Sequence, residues 1–172
     1  MRVFDDKSRC SQGNPLSFRW FGNPSCEAGE DVAVAVEALF RAVSGAGRVW
    51  NPYAAQMTRS EFKRRIIRAQ AGKLKPVDEV KAVDIRNPPP LYEIRWAGLS
   101  VANRAEDGSI SHVVAEVRMY HSEPRELPQH LVAHHAHEKL TDVPDVNAAQ
   151  NQEIRTAIGW HRMGVSSSWG VA

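Results

Sequence analysis

From Asp31 to Val43 apolar residues recur at helical spacing, with Val34, Leu39 and Val43 on one stripe. Ser44-Gly45-Ala46-Gly47 ends the run. Asn51-Pro52 reads as a turn. A second helix is expected from Thr58 or Ser60, either of which suits an N-cap, up to Gly72. Phe62, Ile66, Ile67 and Ala69 form its buried stripe, and Lys63, Arg64, Arg65 and Arg68 its basic side. Pro76 and Asn87-Pro88-Pro89-Pro90 then bracket a connecting segment with a short alternating piece around Val80–Ile85.

After the prolines the period changes to two. LYEIRW (91–96) alternates as a half-buried strand, Asp107-Gly108 is a hairpin signal, and HVVAEVRMYH (112–121) alternates again. SEPRELPQ (122–129) is a Pro-bounded turn, and HLVAHHAHEK (130–139) is a third strand. A closing helix begins at a cap on Asp145 or Asn147 and stops at Gly164, leaving a frayed tail. This order predicts an α+β fold: N-terminal helices, an antiparallel β-meander of three or more strands and a C-terminal helix, with the helices on one face. Residues 1–30 form an N-terminal arm anchored by Phe18, Trp20 and Phe21. Residues 31–164 form a single domain, and 165–172 a C-terminal tail.

Alternation also sorts the side chains. Tyr92, Ile94 and Trp96 join Val113, Ala115, Val117 and Met119 on the core face. Glu93, Arg95, Glu116, Arg118 and Tyr120 fall on the opposite, more exposed face. In the third strand the pattern leaves open which face is which. If His135, His137 and Lys139 join Arg95 and Arg118, one open face holds cations, imidazoles and a phenol, an equipment suited to a phosphodiester.

Composition narrows the classes. The 172 residues, 42% hydrophobic and 24% charged, are those of a globular chain able to bury a core. No apolar run approaches the ~20 residues of a membrane span. The acidic start MRVFDDKSRC is unlike a secretory signal, so a cytoplasmic protein is expected. The net charge is +2, but residues 58–96 carry ten basic and five acidic residues, which is compatible with a polyanionic partner as well as with a solvated helix face. Cys10 and Cys26 have no ligands near them in sequence and read as reduced thiols. His130, His134, His135, His137 and Glu138 lack an HExxH pattern, and ordinary strand histidines are expected there rather than a metal site. No phosphate-binding glycine loop, GxSxG or dinucleotide fingerprint occurs.

Two helices, then LYEIRW, a strand carrying Arg118-Met119-Tyr120, Ala136-His137-Glu138-Lys139 with Pro144, and Glu153-Ile154 with Ala157 resemble the RelE/ParE superfamily of toxins, particularly its RelE- and HigB-like branch. The resemblance covers about residues 58–163. It implies the toxin of a toxin–antitoxin pair, an endoribonuclease that cleaves mRNA at the ribosome and is neutralised by a cognate antitoxin. The alternative is a non-enzymatic interaction protein of the same fold, either a ParE-like poison of DNA gyrase or an inactive accessory protein of phage or mobile-element origin. Carried over by motif, Arg95, Arg118, His137 and Lys139 are the expected catalytic or phosphate-binding residues. Tyr120 and His135 on the same strands, with Arg65 and Arg68 on the second helix, are expected to bind substrate. The expected chemistry is 2′-hydroxyl attack on the adjacent phosphate, with no metal and no cofactor. No membrane partner is expected, since no apolar run is long enough to span a bilayer, and a homodimer is possible.

Overall fold

A computed structural model of the chain describes residues 7–23, 29–83 and 91–170. Cys26 and the prolines at 88–90 lie outside the described residues. The elements are β1 (Ser17–Trp20), α1 (Glu30–Val43), β2 (Arg48–Val49), α2 (Pro52–Gln70), β3 (Val80–Ala82), β4 (Leu91–Arg104), β5 (Ile110–Ser122), β6 (His130–Glu138) and α3 (Val146–Ser166). The fold is α+β, with six strands in one mostly antiparallel sheet of order β1-β6-β5-β4-β2, in which β3 also pairs β4.

The β4–β5–β6 meander follows the sequence expectation. Asp107-Gly108 turns the first hairpin, with Gly108 at φ +82°, where a side chain would be strained. Asp107 caps the turn through Ser109. β4 continues past Trp96 to Arg104, since Leu99 and Val101 resume the alternation beyond a register shift between Trp96 and Leu99. The far end of this hairpin stands clear of the helices, so Val113, expected in the core, is exposed.

Other expectations are corrected. The segment expected as an arm contributes β1, which pairs in parallel with β6 and buries Phe18. Asn51-Pro52 is a helix start rather than a turn: the Asn51 side chain accepts from Ala54 N–H at 2.7 Å, and Pro52 occupies the first helical position, where a missing N–H is harmless. The second helix thus begins a turn and a half before Thr58, and Ile67 lies on its exposed side. Asp145 does cap α3, accepting from Ala148 N–H at 2.9 Å. Gly164 does not stop that helix. Its missing side chain makes room for the Trp169 ring, which is buried and anchors the tail expected to fray.

The helices do not share a face. α1 and α2 pack Leu39, Val43, Phe62 and Ile66 against Ile94, Trp96, Val117 and Met119, the main core. α3 packs Ile154, Ala157 and Ile158 against Leu91 and Tyr120 on the opposite side. The face expected to be open is therefore roofed by α3. Among the described residues no helix is long and apolar enough to cross a membrane.

Candidate active site

The roofed face gathers the residues that alternation had grouped. Arg95 pairs with Arg118 across β4 and β5, and Arg118 with His137 across β5 and β6. Tyr120 lies between Glu93 and His135. Paired residues project to the same side, so these six share the α3 side of the sheet. The parity of β6 that the sequence left open is resolved by a register shift. Tyr120 faces His135 and His121 faces Ala133, so His134 is the extra residue. Leu131 and Ala133 point into the main core, whereas His134, His135 and His137 all reach groups on the α3 side.

Three rings stack in parallel along this face. Tyr120 and His137 have centroids 5.4 Å apart, Tyr120 and His135 6.0 Å, and His135 and His137 5.9 Å. His137 Nε2 is 3.1 Å from Tyr120 Oη, and His137 Nδ1 is 3.1 Å from the Glu138 carbonyl oxygen. A carbonyl only accepts, so Nδ1 carries the hydrogen and Nε2 is the basic nitrogen, accepting from the phenol. Burial, helped by the Glu93 and Glu153 carboxylates, pushes the Tyr120 phenol well above its ordinary range, which keeps it a donor. Burial likewise pushes the His137 imidazole down, so it is neutral near pH 7. His135 Nε2 lies 2.5 Å from Glu153 on α3.

The cations are arranged around these rings. Arg118 is only 1% exposed, contrary to the expectation of an exposed arginine. Its guanidinium lies 2.8 Å from Glu116 and 3.8 Å from buried Glu93, which is also 3.4 Å from Arg95. Lys139 lies 3.9 Å from Glu116. Arg95, Lys139 and His135 remain partly exposed and form the accessible rim. Arg65 and Arg68 do not join them. Both bind Glu79, at 3.5 and 2.5 Å, and Arg65 also donates to the Arg95 carbonyl and lies over the Trp96 ring on the main-core side.

Sequence reasoning missed Glu153, which reaches this site from α3, and it missed two further polar clusters. Ser122 Oγ lies 3.0 Å from His134 Nε2 and 2.6 Å from His161 Nδ1, all buried under α3, with the edge of Trp169 against His161. Burial pushes His134 down to about 3 and also lowers His161, so both imidazoles are neutral. On the other side of the sheet, Cys10, His121 and Glu123 converge in the core. There burial would lower His121, but the Cys10 thiol and the Glu123 carboxylate outweigh it and hold the imidazole up at about 9. Cys10 and His121 are 111 positions apart, a separation no sequence pattern could bridge, so the lack of ligands near the thiol in sequence does not carry over to its surroundings in the fold. In comparisons with known proteins, no family model, curated protein or solved structure matches the chain.

Proposed function

We propose that the protein is an endoribonuclease of the RelE-like kind, the toxin of a toxin–antitoxin pair, acting on mRNA at the ribosome through the Tyr120–His135–His137 face. The observation that carries this reading is the neutral His137 with its Nε2 lone pair held by a phenol donor beside the Arg118 guanidinium. The order of helix, helix, meander and helix supports it as well. In this mechanism the ribose 2′-hydroxyl replaces Tyr120 as the donor to His137 Nε2 and passes its proton there as the oxygen attacks phosphorus. The bond to the 5′-oxygen breaks, and His135 returns a proton to that oxygen. The products are a 2′,3′-cyclic phosphate and a 5′-hydroxyl. Arg95 and Lys139 at the rim hold the phosphate, and Arg118 behind them opposes the charge that builds on its oxygens.

One observation favours the alternative, a non-enzymatic interaction protein of the same fold. Arg118 is buried between two carboxylates, and α3 roofs the ring stack. Inducible expression separates the two. The ribonuclease reading predicts growth arrest with new mRNA 5′ ends, both lost in His137→Gln and suppressed by a cognate antitoxin. Arrest that persists in folded His137→Gln, accompanied by altered DNA supercoiling, would establish the alternative.

A further inference from the structure

We propose that Cys10, His121 and Glu123 bind a divalent cation of the zinc class, which clasps the 3₁₀ turn Arg9–Ser11 to the end of β5. The inference is independent of the ribonuclease reading, since these residues lie on the opposite face of the sheet.

A tetrahedral zinc ion, about 2.3 Å from sulfur and 2.0–2.2 Å from nitrogen or oxygen, holds its ligand atoms about 3.3–3.6 Å apart. Cys10 Sγ is 3.7 Å from His121 Nε2, His121 Nε2 is 3.0 Å from Glu123 Oε1, and Cys10 Sγ is 4.0 Å from that same oxygen. The centre of a triangle with those edges is about 2.1 Å from each corner, close to bonding distance for all three ligands. Adjustments of a few tenths of an ångström complete the site.

Cys10 and Glu123 both address the single Nε2 of His121, which carries at most one hydrogen. A cation at the centre serves all three groups. Thiolate, carboxylate and neutral imidazole with a dication also sum to zero charge, as a fully buried site requires. The thiolate selects a zinc-class ion over magnesium or calcium. Ser8 Oγ donates to Glu123 Oε1 at 2.5 Å and orients that carboxylate. The burial of Cys10 and His121 suits a structural role. Arg9 already donates to the carbonyls of Pro124, Leu127 and His130, and Leu74 N–H to that of Cys10, so the turn is a junction between α2's exit and the β5–β6 loop.

The test is titration of metal-stripped, full-length protein with cobalt(II) and zinc. The expected result is one equivalent bound, with a thiolate-to-cobalt charge-transfer band and the strong visible bands of tetrahedral cobalt. Both are lost in Cys10→Ser and retained in Cys26→Ser. Zinc at a hundredfold excess over its Kd should raise the Tm by about 5–11 °C. X-ray absorption of the zinc-loaded wild type, which needs no variant to fold, should report one sulfur among nitrogen and oxygen ligands. The proposal is overturned by folded wild type that shows no charge-transfer band, by a band that disappears in Cys26→Ser, or by a zinc shell with no sulfur or more than one.

Discussion

Replacing Arg118 with alanine should destabilise the fold severely, which makes it a poor probe of catalysis on its own. The Arg118 side chain is 2% exposed, and its guanidinium lies 3.8 Å from the Glu93 carboxylate, on a side chain that is 6% exposed. At an effective dielectric of about 20, that contact is worth about 4 kcal/mol before desolvation. The Glu116 contact is closer, but Glu116 is one-third exposed, so solvent screens it to about 1 kcal/mol or less. Removing Arg118 leaves Glu93 charged in the interior with the partly exposed Arg95 as its remaining ion-pair partner among the described residues, and breaking a buried pair from one side typically costs about 3–5 kcal/mol. With a urea m-value of about 2 kcal/mol/M, the midpoint should fall by about 1.5–2.5 M. Urea unfolding followed by tryptophan fluorescence measures this. The double variant Arg118→Met/Glu93→Gln, which removes both charges, should regain at least half the loss. A loss below about 1 kcal/mol in Arg118→Ala, or no recovery in the double variant, would refute the reasoning that Arg118 and Glu93 form a coupled buried pair.

Other regions give independent expectations. Asn51→Ala removes the α2 cap and should cost about 1 kcal/mol in urea unfolding, with Asn51→Asp near wild type. Gly164→Ala would set a methyl group inside the space of the Trp169 ring and should cost about 1–3 kcal/mol, with a shift in near-ultraviolet circular dichroism as that ring is displaced. His134 is held neutral in the fold, at about 3 against about 6.5 unfolded, so the unfolded chain binds the extra proton between those values. Its contribution is complete above about pH 6.5 and is lost as pH falls, so the urea midpoint should drop between pH 7 and pH 5, with a shallower drop in His134→Gln.

The meander was legible because its alternation is clean. Ile94, Trp96, Val117 and Met119 needed only parity to reach the core, and the same parity put Arg95, Arg118 and Tyr120 together. β1 was harder to read, since Ser17–Trp20 is four residues long and its partner lies more than a hundred positions away. The start of α2 was missed because Asn51-Pro52 serves turns and helix starts alike, and only the following backbone decides. The roof formed by α3 could not be inferred from one helix's apolar stripe, which says that a face is buried but not against which side of a sheet. That omission turned a buried Arg118 into an expected exposed one. The shift at His134 escaped notice because an extra residue in a strand leaves no compositional mark when both of its neighbours are polar or small.

Single-turnover cleavage of ribosome-bound mRNA, with the termini identified by mass spectrometry, tests most directly the proposal that His137 accepts the 2′-hydroxyl proton. The expected ends are 2′,3′-cyclic phosphate and 5′-hydroxyl. The rate should be about 10²–10⁴-fold lower in His137→Gln, with circular dichroism as the control that the variant is folded. Wild-type cleavage by folded His137→Gln, or products ending in 5′-phosphate, would contradict that proposal.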